Sequence, residues 1–519
     1  MSTGSEQPRE PQPPFVAAVD QGTTSTRCLV VDATGRVVGR AQREHAQHHP
    51  RPGWTEHDPL EIWDRTVEVT VGALADAGIG PADVVACGIT NQRETAVVWD
   101  RHTGEPIHPA VVWHDTRTSE ACARLGAREA DLVREVTGLP VSTYFSGPKI
   151  AWVLDHVEGA RDRALRGELL AGTVDTWLVW RLTGGPDGGV HVTDVTNASR
   201  TQLMDLRRLS WSPELAALLD VPLDILPTIK SSSEVYGAGA PDGPLPGVPV
   251  AAALGDQHAA LVGQACFEPG SAKSTYGTGG FLLCNTGGEP VTSRHGLLTT
   301  VAYQLGDRPA CYALEGSVAV AGSLIQWLRD RLELIRDVAE VEPLAAAVPD
   351  SGGVYVVPAF SGLFAPRWRP DARGVIAGLT AFTTRAHLVR AALEATCYQT
   401  REVVDAMTAD TGRPLEELKV DGGMVANSLL MQLQADTLKV PVASMEVTET
   451  TALGAAFAAG LAVDVWDGPE ALAGLRRPGR RWLPDPSSPL PTRGWRGWND
   501  AVDRSLGWVP TTTSDQEAS

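Results

Sequence analysis

Apolar positions along the chain follow two periods. Short continuous runs at VAAV (16–19) and CLVV (28–31) have strand length, and DQGTTSTR joins them. VVACGITNQ (84–92) predicts a buried strand, with AVVWD (96–100) as its hairpin partner. In DPLEIWDRTVEVTVGALADAG (58–78) the apolar residues recur at helical spacing. Asp58 serves there as N-cap and Gly78 as stop. SAKSTYGTGGFLLCN (271–285) begins a second set of strands. The runs 313–335 (ALEGSVAVAGSLIQWLRDRLELI) and 386–407 (AHLVRAALEATCYQTREVVDAM) predict long helices. LKVDGGMVANSLLMQLQADTL (418–438) reads as strand, glycine turn, helix. TALGAAFAAG (451–460), made of small residues, predicts a closely packed helix. The mixture is an α/β architecture in two halves of similar size.

The halves share a device. Each opens on a strand hairpin whose turn is rich in glycine and threonine, DQGTTST (20–26) and YGTGG (276–280). A tight hairpin needs only two turn residues, typically Asn-Gly or Asp-Gly. The first turn instead carries several hydroxyls, exposed backbone N–H groups and Asp20. Two such turns, with a third at Asp421-Gly422-Gly423, can clasp a polyphosphate through concave arrays of N–H groups.

Composition narrows the classes. At 519 residues the chain exceeds one compact core, which predicts two domains. No apolar run has the length to span a bilayer, and the N-terminus has no signal-peptide pattern. The net charge of −19 argues against a nucleic-acid partner. The scattered cysteines show no CxxC or disulfide-like spacing, which predicts reduced thiols and a cytoplasmic setting. None of the five lysines (Lys149, Lys230, Lys273, Lys419, Lys439) follows a glycine, so the Gly-Lys-Ser/Thr of a P-loop is absent. His45, His48 and His49 lack a cysteine or paired carboxylate at ligand spacing, and a metal cluster there is not expected.

Ten motifs, in order from about Val16 to about Trp508, carry a resemblance. They are DQGTTSTR, GITNQRET, VDTWLVWRLTG, TDVTNASRT, GDQHAAL, TYGTGGF, AGSLIQWLRD, VVPAFSGL, DGGMVAN and TALGAAFAAGLA. Together they resemble the FGGY carbohydrate kinases, and most closely the members that act on glycerol. The resemblance implies two duplicated actin/hexokinase/Hsp70-like (ribonuclease H-like) α/β domains with ATP and substrate in the cleft between them. The expected division is a disordered tail 1–14, an N-terminal domain 15–263, a C-terminal nucleotide-binding domain 264–508 and a tail 509–519. The implied reaction is ATP-dependent phosphorylation of glycerol to sn-glycerol 3-phosphate, with ADP as product, Mg²⁺ as cofactor and a homodimer or homotetramer as the working form.

Phosphoryl transfer needs positioning, charge neutralisation and a carboxylate to take the attacking hydroxyl's proton. Asp256, at the end of the apolar run VPVAAALG, is the base candidate; the alternative is a plain helix N-cap. Asp20 is the metal candidate, with Asp256 as a second oxygen donor. Thr23, Thr24, Ser25, Thr26 and Arg27 then face phosphate oxygens. For the acceptor the resemblance points to Arg93, Glu94, Trp113, Tyr144, Asp256, Gln257 and Phe281. A bland reading makes Arg93-Glu94 an exposed ion pair and the aromatics core. For the nucleotide it points to Gly277, Thr278, Gly322, Gln326, Gly423 and Asn427.

The chain departs from the family pattern at Phe364, Arg367 and Arg369 in SGLFAPRWRP, and at His258 in GDQH. Two rivals remain at this stage. One is an FGGY kinase for another polyol or ketose. The other is an actin- or Hsp70-like ATPase, which keeps the phosphate hairpins but has no acceptor pocket.

Overall fold

The computed structural model describes residues 12–509, so most of both expected tails lies outside the described residues. The first half contributes β1 (Phe15–Gln21), β2 (Ser25–Asp32), β3 (Val37–Glu44), α1 (Pro59–Ala77), β4 (Val84–Asn91) and β5 (Ala96–Asp100). Later come β6 (Ser233–Ala238), β7 (Pro249–Gly255) and α2 (Asp256–Gly263). Six of these strands form one sheet in the order β6-β7-β4-β1-β2-β3.

The second half holds β8 (Ala272–Tyr276), β9 (Gly280–Gly287), β10 (Leu298–Tyr303), β11 (Cys311–Val318) and α3 (Gly322–Asp330). It continues through α4 (Arg385–Thr411), β12 (Leu418–Asp421), α5 (Ser428–Leu438), β13 (Val442–Met445), α6 (Thr450–Ala462) and β14 (Pro478–Trp482). Its sheet has seven strands in the order β10-β11-β9-β8-β12-β13-β14.

The two sheets repeat one plan. In the first, β3-β2-β1-β4-β7 pair antiparallel, antiparallel, parallel and parallel. In the second, β11-β9-β8-β12-β13 pair in the same sequence of directions. The Gly/Thr turns β1–β2 and β8–β9 therefore occupy equivalent places, as the duplicated architecture requires.

Local chemistry explains the helices. The Asp58 carboxylate accepts the Leu60 N–H at 2.8 Å, and α1 ends where Gly78 adopts φ 70°. Helix α6 is apolar nearly all round because it is covered nearly all round: it lies against α2, β1, β4 and β7. A Cβ on Gly454 would lie 1.8 Å from the Ala259 carbonyl oxygen, so glycine there lets α6 and α2 meet backbone to backbone. Helix α6 belongs to the second half of the chain yet packs on the first sheet, which joins the halves at their base.

Two expectations are corrected. Ala96–Asp100 does not pair with β4; it pairs antiparallel with Leu169–Thr173 in a separate four-stranded sheet. The cause is local: Glu94 takes φ 63°, which turns the chain out of the first sheet. The long helix expected over 313–335 is a strand followed by a short helix. Cys311–Val318 hydrogen-bonds between β9 and β10, and the helix begins only at Gly322. A run of apolar residues fits either period, and the flanking strands decide. Among the described residues no helix is long and apolar enough to cross a membrane.

Candidate active site

Strand register gathers the acidic and basic candidates. On the parallel strands β1, β4 and β7, Asp20 lies opposite Thr90 and Gly255 opposite Asn91. All three strands leave the sheet at their carboxyl ends on one edge. Ligands of open α/β sheets bind at that edge. Asp20, Arg93-Glu94 and Asp256 are the residues it carries.

Arg93 and Glu94 are buried, 3% and 1% exposed, and not a surface ion pair. The Arg93 Nε lies 3.1 Å from the Asp256 Oδ1, while its two terminal nitrogens fork onto Glu315 at 2.5 and 3.0 Å. Arg200 donates through Nε to the Glu94 carboxylate at 2.7 Å and through Nη2 to Glu315 at 3.3 Å. Burial pushes the Glu94 carboxyl up, against the pull of Arg93 and Arg200. Asp256, at the end of this lattice, keeps a partly exposed carboxylate, 30% accessible. Gly255 holds the N-cap position of α2 with no side-chain bond, and besides the Arg93 contact Asp256 accepts from the N–H and the side-chain amide of Gln257, at 2.7 and 3.1 Å. The helix-cap alternative for Asp256 is therefore not what the geometry shows.

Beside it stand three half-buried aromatic rings. The Trp113 centroid is 5.3 Å from that of Tyr144 and 6.4 Å from that of Phe281, all edge to face. Arg93 lies 6.0 Å above Phe281, and Arg200 lies 5.9 Å above Tyr144. None of the three rings is fully buried. Charged donors, carboxylates and an aromatic wall in one place suit a small polyol, whose hydroxyls need partners and whose carbon edge needs apolar cover.

The first hairpin turn closes through Gly22 N–H to the Ser25 carbonyl at 2.9 Å. The Thr23 carbonyl accepts from Gln47 at 2.7 Å, and the Ser25 hydroxyl accepts from the Gln42 amide at 2.9 Å. Thr24 is exposed, whereas Thr26 is buried with a hydroxyl that has no hydrogen-bond partner among the described residues. Arg27 grips the Gln42 side chain at 3.0 and 3.2 Å and lies 3.8 Å from Asp20. Burial, with the charges of Asp256 and Glu449 nearby and Arg27 opposing, pushes the Asp20 carboxyl up to about 6.

In the second half Gly277, Thr278, Gly322, Gln326, Gly423 and Asn427 line one cavity of about 380 Å³. A Cβ on Gly322 would sit 2.5 Å from the Gly277 carbonyl oxygen, so α3 and the second hairpin touch through bare backbone. Asn427 also caps α5, accepting from Leu430 at 2.8 Å. An adjoining cavity of about 840 Å³ shares Gly423 and Ala426 and is lined by Asp421, Glu449 and Arg27 of the first hairpin. The two hairpins thus face one continuous cleft.

Four residues of the site were not singled out from the sequence. Glu315 lies inside the run taken for a helix, and its one visible signal is a lone acid among apolar residues. Arg200 closes the motif TDVTNASRT but carries no pattern of its own. Lys149, fully buried, donates to the main-chain carbonyls of Trp113, Tyr144 and Phe145 at 3.2, 2.6 and 3.3 Å. It therefore ties two segments of the aromatic wall together, and burial lowers its ammonium to about 7. Lys273 donates to the Gln257 side-chain oxygen and, at 2.8 Å, to Thr275.

The departures in SGLFAPRWRP make contacts of their own. Arg367 pairs with Glu402 at 2.7 Å, Arg369 pairs with Asp371 at 2.6 Å, and Phe364 is exposed. His258 is buried behind Asp256, and its pKa is lowered by burial first and by the Arg93 charge second.

Comparison with known proteins gives the same picture. Residues 15–263 match the N-terminal domain, and residues 272–463 the C-terminal domain, of the FGGY family of carbohydrate kinases. Glycerol kinase 1 of Streptomyces avermitilis is 56% identical over 500 residues, covering 96% of this chain and 98% of its own. A glycerol kinase of Chloroflexus aurantiacus is 57% identical, covering 95% and 99%. Among solved structures, the Plasmodium falciparum glycerol kinase with ADP superposes with a TM-score of 0.88 at 37% identity, covering 95% and 98%. A xylulose kinase from Lactobacillus acidophilus, 19% identical and covering 95% and 96%, superposes at 0.82 and shares the fold.

Proposed function

Because the chain belongs to the FGGY family of carbohydrate kinases, we propose that it transfers the γ-phosphoryl group of ATP to glycerol, giving sn-glycerol 3-phosphate and ADP. The observation that carries the choice of acceptor is the Arg93–Asp256 contact of 3.1 Å set beside the Trp113–Tyr144–Phe281 wall. An ATPase without a small-molecule acceptor has no use for that pocket.

In this reading glycerol lies between the wall and the buried ion network. Arg93 donates to its hydroxyls and Glu94 accepts from them, while Trp113, Tyr144 and Phe281 cover its carbon edge. Asp256 takes the proton of the attacking hydroxyl. Arg93, by holding one oxygen of that carboxylate, aims the other. Gln257, fixed by Lys273, flanks the base. The nucleotide fills the cavity lined by Gly277, Thr278, Gly322, Gln326, Gly423 and Asn427. The turn from Thr23 to Arg27 meets its phosphates from the opposite side. Domains at 15–263 and 264–508 are the units that close on the two substrates.

A divalent cation fits beside Asp20. Its carboxylate accepts no hydrogen bond among the described residues, and it stands close enough to Asp256 and Glu449 for their charges to raise its pKa. Asp20 and Asp256 would hold Mg²⁺, which supplies charge neutralisation on the phosphate oxygens. A cytoplasmic setting is supported by seven free cysteines. A homodimer or homotetramer is supported by the exposed apolar side chains Phe360, Phe364 and Trp368, and static light scattering tests it.

A coupled ADP-release assay over glycerol, dihydroxyacetone, xylulose and gluconate tests the activity. Glycerol is expected to stimulate ADP release far above the rate with water alone. Equal rates with and without glycerol in folded protein would overturn the reading, and preference for xylulose or gluconate would reassign the acceptor.

A further inference from the structure

The acceptor pocket is built almost wholly on the first half of the chain, but its ion network is not. Arg93, Glu94, Arg200 and Asp256 follow first-half elements. Glu315 sits on β11, one strand in from the edge of the second sheet, opposite Leu283 of β9. Its side chain is 1% exposed, and both its oxygens are engaged by guanidiniums from the other half. Oε2 takes Arg93 Nη1 at 2.5 Å, and Oε1 takes Arg93 Nη2 at 3.0 Å and Arg200 Nη2 at 3.3 Å. Although burial alone would raise its pKa, Arg200 and Arg93 hold the Glu315 carboxyl below the usual carboxylate range.

The order of contacts is Asp256–Arg93–Glu315–Arg200–Glu94. The two carboxylates at its ends are the ones assigned above to the acceptor's hydroxyls. The two arginines between them take their lateral position from one central carboxylate. A bidentate fork fixes the plane of a guanidinium as well as its distance. We propose that Glu315 is a positioning residue for phosphoryl transfer. It sets Arg93 against Asp256, and Arg200 against Glu94, and it completes the acceptor site only when the two halves of the chain are docked. The proposal rests on the glycerol-phosphorylating activity proposed above and adds to it a role for a residue that does not touch the acceptor. A structural ion pair alone does not need both arginines to end on carboxylates assigned to the acceptor.

Glu315→Gln keeps the shape and removes the charge; Glu315→Asp keeps the charge and withdraws it by one methylene. Both are compared with the unaltered protein for kcat, for KM of glycerol and of ATP, and for the preference for glycerol over propane-1,2-diol. A misplacement of about 1 Å can cost about 10²-fold. We expect kcat/KM for glycerol to fall by about that factor in Glu315→Gln and by about tenfold in Glu315→Asp. KM for ATP should stay within about twofold, because the nucleotide cavity does not touch this network. Preference for glycerol over the diol should shrink, since a displaced Arg93 no longer reads the missing hydroxyl. A lower melting temperature with unchanged preference and unchanged kcat/KM would overturn the proposal and leave Glu315 a purely structural ion. Should Glu315→Gln not fold, Glu315→Asp carries the same test. If the unaltered protein releases no ADP in response to glycerol, the activity itself falls, and that result is separate from any effect of the variants.

Discussion

The indole Nε1–H of Trp113 donates a 3.0 Å hydrogen bond to the hydroxyl of Thr23. One residue belongs to the aromatic wall and the other to the first hairpin turn, so the wall and the hairpin share a direct bond. Lys149 holds the Trp113 carbonyl from behind at 3.2 Å. The wall is therefore fixed at both ends, and its displacement would be felt at the hairpin.

Trp113→Ala is expected to raise KM for glycerol strongly while nucleotide affinity changes little. Truncating a core tryptophan costs about 3–5 kcal/mol, but this ring is half-buried and the loss in melting temperature should be smaller. Trp113→Phe keeps the wall and deletes only the bond to Thr23. A hydrogen bond of about 1 kcal/mol predicts a loss of about fivefold in kcat/KM. Unchanged glycerol kinetics in Trp113→Ala, alongside a large drop in melting temperature, would make the ring a packing residue after all.

Asp256→Asn separates base from scaffold. The amide cannot take a proton, so kcat should fall by about 10²–10⁴-fold. Glycerol affinity should change far less, because the amide oxygen still accepts a hydroxyl. Stability should be nearly kept, since Gly255 and not Asp256 occupies the cap of α2, and Arg93 retains its fork onto Glu315. Steady-state kinetics with a melting curve decides; near-normal turnover would place the base elsewhere.

Asp20 predicts an acid limb. Its carboxyl, raised to about 6 by burial and neighbouring charges, becomes protonated below that pH and can no longer hold a cation. Activity should decline as pH falls through about 6. Raising free Mg²⁺ competes with the proton, so the limb should move to lower pH. The stability effect has the opposite sense. From the ordinary value of 3.8 up to about 6 the folded chain binds more protons here than the unfolded chain, so this group favours folding less as pH rises. Asp20→Asn should flatten that slope in a pH series of melting temperatures and remove most activity. An acid limb that ignores Mg²⁺ would argue against Asp20 as the cation's ligand.

Gly322→Ala tests the nucleotide side in isolation. The added Cβ would approach the Gly277 carbonyl oxygen to 2.5 Å, so the second hairpin must shift away from α3. KM for ATP should rise by about tenfold or more with KM for glycerol nearly unchanged, the converse of Trp113→Ala. Equal effects on both substrates, read from initial rates, would mean that the hairpin shift travels across the cleft.

Sequence alone fixed what is local. The Asp58 cap and the Gly78 stop of α1, the two Gly/Thr hairpins, and the strand–turn–helix around Asp421-Gly422-Gly423 follow from residues a few positions apart. The motif order then identifies the family and singles out Arg93, Trp113 and Asp256. What it left undecided depends on partners far away along the chain. Ala96–Asp100 and Cys311–Val318 are apolar runs that more than one arrangement can bury, and only the neighbouring strands settle which edge each joins. Glu315 meets Arg93 across 222 positions, and Arg200 meets Glu94 across 106. A buried charge costs stability unless an opposite charge arrives at hydrogen-bond distance, and no local pattern records where that partner comes from. Tertiary structure decided the ion network, because only folding both halves together brings its members into contact.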